Sequence, residues 1–386
     1  MRVTFIGCPF RTSYGHYIDA LRRTLQTHYG ESVEWIASNC GCGDPVERER
    51  LFEAEPSAYF EMAHVSGYES HTAWKRWLRR NARSLSYQVR ARRYARLAGG
   101  SDVMHLQQTL NAYGSMVAFH WLKRRSSAVK VITVHELDAH QMRFPHLNAL
   151  YNHADALIVH SSELRDRLSE HGVQINKVHV LPYGTDVPAD PDDRERAGIV
   201  FYGGHHLLSG KGLDTLLHAA QLLRQTLGER APLITVHGHY GTETPPEALE
   251  LAKQFGVADR LVWRNQIADT QIAPLYRSAT LAVLPYTGGA AGLPACAAAA
   301  NGLPVIATRR AGIADQLGEC AVWIEPNRPE QLAGAITQLL GDPAARADLA
   351  RRAYARATQQ LSWPVIAGRT VELYRDALRA RWAQSP

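Results

Sequence analysis

Residues 199–227, IVFYGGHHLLSGKGLDTLLHAAQLLRQTL, carry the pattern that decides the fold. Four apolar residues, 199–202, suffice for a short buried strand, and the ten that follow form a glycine-rich turn ending in Lys211 and Gly212. From Leu213 to Leu227 the leucines recur at helical spacing, so the unit is strand, glycine turn, helix. The same alternation extends downstream, with strands expected at 233–236, 261–263, 281–284, 305–307 and 321–324. Upstream it is expected at 3–6, 32–36, 103–106, 130–134 and 156–159, with a helix at 19–29. Short strands alternating with helices indicate parallel sheets covered on both faces. Residues 188–198, PADPDDRERAG, are polar, carry two prolines and lack large apolar side chains, which marks a linker.

The chain is therefore expected to be α/β, with two doubly wound parallel-sheet domains: residues 1–187, a linker 188–198, and residues 199–362. A helical tail, 363–386, follows. A length of 386 residues suits two cores, and a composition of 45% hydrophobic and 21% charged residues excludes wholesale disorder and a membrane-embedded body. The opening MRVTFIGCPF is too short for a signal peptide or a span, so a cytoplasmic location is expected. Five cysteines (Cys8, Cys40, Cys42, Cys296 and Cys320) form neither a disulfide framework nor metal-ligand spacing, and no zinc or other metal is predicted.

Charge is concentrated in residues 74–97, where nine cations stand without an acid and alone exceed the net charge of +6. At 100° per residue Trp74, Trp77 and Leu78 share one face, while Arg76, Arg79, Arg80 and Arg83 share the opposite one. Such a helix either packs its apolar stripe on the core or touches anionic lipid, peripherally at the inner face of the plasma membrane, or a phosphate-bearing acceptor. The basic block is local and lacks a stacking platform, so a nucleic-acid partner is not predicted.

Two glycine-rich loops suggest anion binding. In residues 202–212 the glycines, Gly204 among them, let backbone approach a phosphate, and Lys211 supplies full charge beside His206. The spacing is not that of a Walker A loop. In residues 284–294, LPYTGGAAGLP, a strand again ends in glycines, Gly289 and Gly292, before Leu293, Pro294 and a helix of small residues at 295–301. That helix terminus alone contributes about 0.3–2 kcal/mol toward an anion and needs a cationic partner such as Lys211.

The order of these segments resembles the retaining glycosyltransferases of family 4 (group 1), a GT-B family built of two Rossmann-like domains facing across a cleft. The likeness rests on residues 178–187 (VHVLPYGTDV), the loop ending in Lys211-Gly212, residues 276–285 (YRSATLAVLP), Gly292-Leu293-Pro294, and residues 301–307 (NGLPVIA). It implies a nucleoside diphosphate sugar, UDP- or GDP-linked, as the donor, and no cofactor. Under it, residues 1–187 bind a carbohydrate or lipid-linked acceptor in cell-surface or exopolysaccharide synthesis, and the last helix returns to the first domain. Where that family carries two glutamates separated by seven residues, for the donor sugar and the ribose, this chain has Gly289 and Ala297, and His206 replaces an arginine. In the first half, Gly15 and His16 occupy the loop expected near the phosphates. His135 ends a strand expected between donor and acceptor, with Glu136 and Asp138 just beyond. With the acid pair missing, inversion is open alongside retention, and His135 or one of those carboxylates becomes the candidate general base. A pseudoenzyme that binds or activates a partner glycosyltransferase is the alternative reading; a GT-B phosphorylase or epimerase is a third.

Overall fold

The computed structural model describes residues 1–7, 13–38, 59–60, 99–107, 126–135, 147–189, 196–204, 207–238, 243–265, 267, 269–288 and 292–383. It divides into two compact units, one of Met1–Leu181 with Ile366–Pro386, the other Pro182–Val365.

In the first unit the strands are β1 (Arg2–Gly7), β2 (Ser32–Ser38), β3 (Tyr59–Phe60), β4 (Val103–Gln107), β5 (Val129–Val134), β6 (Ala156–Val159) and β7 (Val178–Val180). They form one sheet in the order β3-β2-β1-β4-β5-β6-β7, with every pair parallel. Strands β4, β5 and β6 are buried throughout, which is why they read as continuous apolar runs. Helices α1 (Ser13–Tyr29), α2 (Leu147–Asn152) and α3 (Ser162–Glu170) accompany the sheet. Helix α1 begins earlier than the expected residue 19. Tyr17 and Ile18 are buried and extend the stripe of Leu21 and Leu25 back by a turn, so Gly15 and His16 lie in its first turn instead of a loop. Ser161 caps α3, its hydroxyl accepting from Leu164 N–H at 3.2 Å.

The second unit holds β8 (Ile199–Tyr202), β9 (Ile234–Gly238), β10 (Leu261–Asn265), β11 (Leu281–Leu284), β12 (Val305–Thr308) and β13 (Val322–Ile324), parallel in the order β10-β9-β8-β11-β12-β13. Its helices are α4 (Leu213–Leu227), α5 (Pro246–Gln254), α6 (Asp269–Ser278), α7 (Leu293–Ala300), α8 (Ala311–Leu317), α9 (Pro329–Gly341) and α10 (Pro343–Arg356). Helix α7 starts at Leu293, because Pro294 near its amino end has the backbone angle a helix start requires. Ala295, Ala298, Ala299 and Ala300 are wholly buried in the core that also holds Phe201, Val236 and Leu284. Each fully buried side chain the size of Val, Leu or Phe contributes about 1.5–3 kcal/mol.

Helix α11 (Trp363–Trp382) straddles the division. Its first residues belong to the second unit and those from Ile366 onward to the first. Residues 182–188 likewise belong to the second unit. Thr185 bridges Ser362, the Trp363 ring fills the space over Gly184, and Tyr354 Oη donates to the Pro188 carbonyl at 2.6 Å. Compactness thus divides the chain before residue 187, since packing on Trp363 holds this stretch to the second core. No described helix is long and apolar enough to cross a membrane.

Candidate active site

In the second sheet the order reverses between β8 and β11, and the loops leaving their carboxyl ends diverge there, which is where open α/β sheets bind ligands. The two glycine-rich loops are those two loops. They are joined through backbone, as Thr287 and Gly288 N–H both donate to the Gly210 carbonyl at 3.1 and 3.0 Å. Gly212 caps α4 with φ of +71°, and a Cβ there would overlap the Pro285 carbonyl oxygen. Only glycine satisfies both conditions. Gly212→Ala is accordingly expected to destabilise the protein by about 2–4 kcal/mol, read as a lowered urea midpoint. A change under about 0.5 kcal/mol would show that the loops are not in contact.

Lys211 lies between these glycines. It is 9% exposed, with Nζ 4.2 Å from the centroid of the Tyr286 ring. The ring is fixed at both ends: its hydroxyl donates to the Tyr202 carbonyl at 2.7 Å, and its own carbonyl accepts from Thr308 Oγ1 at 2.6 Å. Gly204, at φ of +59°, leaves room beside the lysine, since a Cβ there would stand 3.5 Å from Lys211 Cε. Burial pushes the Tyr202, Tyr276 and Tyr286 phenols up, so at neutral pH the ring beneath the ammonium is uncharged.

Gly292 caps α7, and Leu293 and Pro294 open it. The Gln316 side chain packs where a Cβ of Gly292 would go, and its Oε1 accepts from the Cys296 thiol at 3.2 Å. Burial pushes that thiol up, which makes it a packing group, not a nucleophile. Ala297 is half-buried on α7, and the helix has no acid in its first turn.

In the first unit the carboxyl ends of β4, β5 and β6 each close on a polar residue, and these are hydrogen-bonded in series. Tyr374 Oη of α11 lies 2.5 Å from His105 Nδ1. His105 Nε2 lies 2.6 Å from Thr133 Oγ1 and 3.2 Å from one end of the Gln107 amide, whose other end is 3.0 Å from His135 Nε2. His135 Nδ1 then lies 3.1 Å from His160 Nε2, and His160 Nδ1 lies 2.9 Å from the Leu181 carbonyl oxygen. Tyr17 packs edge-on to both rings at about 5 Å. Burial pushes His105 down to about 3 and His160 down to about 4. Burial, with His160 and His105 adding to it, holds His135 well below the imidazole range. Both nitrogens of His135 are thus engaged within the protein.

Of the residues expected at the site, Gly204, Lys211, Gly292, Leu293 and Pro294 fall within the second unit, and His135 is at a strand end of the first. His206, Gly289, Glu136, Asp138 and the basic segment with Trp74, Arg76, Trp77, Arg79, Arg80 and Arg83 lie outside the described residues. Sequence reasoning missed His105, Gln107, His160, Tyr202 and Tyr286. The available signal was that strands 103–107, 129–134 and 156–159 are apolar runs ending on, or followed at once by, Gln107, His135 and His160.

Residues 30–189 match the family model described as Glycosyltransferase Family 4, and residues 196–342 match the one described as Glycosyl transferases group 1. A D-inositol 3-phosphate glycosyltransferase of Acidothermus cellulolyticus is 32% identical over 246 residues, covering 59% of this chain and 54% of the relative. The chain thus spans about half the length of the curated relatives it matches. Among solved structures, sucrose-phosphate synthase from Thermosynechococcus elongatus superposes with a TM-score of 0.74 at 19% identity, over 98% of this chain and 100% of that one. HepE of Anabaena in complex with UDP does so with a TM-score of 0.70 at 14% identity, over 97% and 100%. At these identities the structural likeness speaks to the fold alone. With two family models taking in most of the sequence and a fold of two Rossmann-like parallel-sheet units, the chain belongs to the GT-B glycosyltransferases of family 4 (group 1).

Proposed function

We propose that this protein transfers a sugar from a nucleoside diphosphate donor, UDP- or GDP-linked, to a carbohydrate or lipid-linked acceptor. The reading rests on Lys211, a nearly buried ammonium set between two backbone-coupled glycine loops at the switch point of the second sheet. A leaving diphosphate gains charge as the glycosidic bond breaks, and a fixed cation with nearby helix amino ends stabilises that charge without reorganising. A metal is not needed for this step when the cation is supplied by the chain. The UDP bound by HepE and the family membership support the same donor class.

The test is donor hydrolysis across nucleotide sugars, followed by anomeric analysis of the product. Release of the diphosphate from at least one UDP- or GDP-sugar is expected, and no release from any would remove the proposal. That second outcome, with retained binding to a partner glycosyltransferase, is what the pseudoenzyme alternative predicts from the missing acids at 289 and 297.

Recruitment to the inner face of the plasma membrane through residues 74–97 belongs to the same reading. The protein should float with vesicles rich in anionic lipid and stay behind with neutral ones. Flotation indifferent to lipid charge would end that part of it.

A further inference from the structure

Tyr286 stands two residues beyond β11 and is wholly buried, and three neighbouring strands meet on it. Its hydroxyl donates to the Tyr202 carbonyl at the end of β8 at 2.7 Å, and its own carbonyl accepts from the Thr308 hydroxyl at the end of β12 at 2.6 Å. The ring therefore cannot turn away from the switch point without breaking a buried hydrogen bond. The residue after the ring and the residue before Lys211 are tied to each other, since Thr287 N–H donates to the Gly210 carbonyl at 3.1 Å. Ring and ammonium are thus carried on two loops fastened beside them, and the Lys211 Nζ comes to lie over the ring, 4.2 Å from its centroid.

A lysine stem has many rotamers, and fixing its ammonium in one place costs entropy. Three kinds of neighbour could fix it from the position of Tyr286. A carboxylate would hold it firmly but neutralise the charge that an anionic ligand needs. An aliphatic side chain would pack on the stem and leave the ammonium against apolar surface, which disfavours its charged form. The face of an aromatic ring attracts a cation through its quadrupole and carries no charge of its own, so it holds an ammonium without neutralising it. The Tyr286 hydroxyl is spent on the Tyr202 carbonyl, so the face of the ring is the part that meets the lysine.

We propose that Tyr286 is a positioning residue, its ring seating the Lys211 ammonium at the place where a diphosphate group binds. What carries that group, a nucleotide sugar, rests on the glycosyl-transfer reading above. The hydroxyl has the lesser part, which is to aim the ring, and phenylalanine at this position keeps most of the effect while leucine loses it.

The test begins with proton–carbon NMR on protein labelled with ¹³C-lysine, with Lys211 assigned by its loss in Lys211→Met. Protons above a ring face are shielded, so the Lys211 ε protons should lie upfield of the ordinary lysine position. In Tyr286→Leu they should return to it, and in Tyr286→Phe they should stay upfield. Phosphorus NMR titration with inorganic pyrophosphate then reads the site without a nucleotide. Tyr286→Leu should bind at least about tenfold more weakly than wild type, and Tyr286→Phe within about threefold of it. Lys211 ε protons at the ordinary position in wild type, a wild type that binds no pyrophosphate, or binding unchanged in Tyr286→Leu would overturn the proposal. Should Tyr286→Leu fail to fold, the wild-type spectrum and the wild-type titration still decide it. Pyrophosphate binding that is lost in Tyr286→Leu and kept in Tyr286→Phe, in a protein that releases diphosphate from no nucleotide sugar, would sink the glycosyl-transfer reading and leave the seat standing.

Discussion

Lys211→Ala lowers kcat/KM for the preferred nucleotide sugar by about 10²- to 10³-fold, the range for losing one preorganised charge-stabilising group. Most of the loss falls on kcat, because the diphosphate is more negative as it leaves than when it is still esterified to the sugar. The fold survives the change. Tyr286 keeps its two hydrogen bonds, to Tyr202 and Thr308, and the glycine loops remain joined through Gly210, none of which involves the lysine side chain. Lys211→Arg recovers part of the activity. It keeps the charge, but a planar guanidinium is larger than an ammonium and does not fit the same pocket above the Tyr286 ring. Steady-state kinetics of the three proteins decide the matter, with thermal melts to show that the variants are folded. Wild-type kinetics in Lys211→Ala would remove the lysine from the mechanism.

The second large effect is on stability in acid. His105, His135 and His160 are neutral in the folded protein, with His105 held down to about 3 and His160 to about 4. In the unfolded chain each titrates near 6.5. The unfolded state therefore binds more protons between these limits, and stability rises with pH across that window. The contribution is fully present above about 6.5 and is lost as pH falls toward 4, at a limiting rate of about 1.4 kcal/mol per pH unit for each histidine. Over the whole window His160 accounts for about 3 kcal/mol and His105 for somewhat more, a large share of the 5–15 kcal/mol typical of a folded domain. Urea unfolding from pH 7 to 4.5 should show the slope, and His160→Gln should reduce it by about one proton. A flat profile would mean that the histidines are charged or exposed.

The alternation of short apolar runs with helical periods placed both sheets, and for β6, β8, β11 and α4 the expected bounds are the observed ones. These segments are flanked by glycine, proline or charged residues that end them abruptly. Strand β7 was reached only through the family resemblance, because Val178 is its single fully buried residue and no periodicity stands out. The start of α1 was missed for the opposite reason: its first turn is polar and glycine-containing, and its helical character lies in the burial of Tyr17 and Ile18.

Lys211 was legible as a charge framed by glycines. The hydrogen bonds from Thr287 and Gly288 to Gly210 were not, since a backbone contact between distant loops leaves no mark on side-chain chemistry. The histidine series was invisible one residue at a time. It exists because parallel register pairs Gln107 with Thr133 and Val134 with Val159, which brings the residues at the three strand ends side by side. The absence of acids at 289 and 297 was fully legible, and under the proposed function it leaves Lys211 as the charge on which donor binding depends.

Titration calorimetry with UDP and GDP on the wild-type protein and Lys211→Met tests this dependence most directly. One of the two nucleotides should bind wild type at one site per chain, and the substitution should weaken that binding by at least about tenfold, the loss of about 1.4 kcal/mol of charge stabilisation. A wild-type protein that binds neither nucleotide, or a Lys211→Met protein that binds as tightly as wild type, would contradict the account.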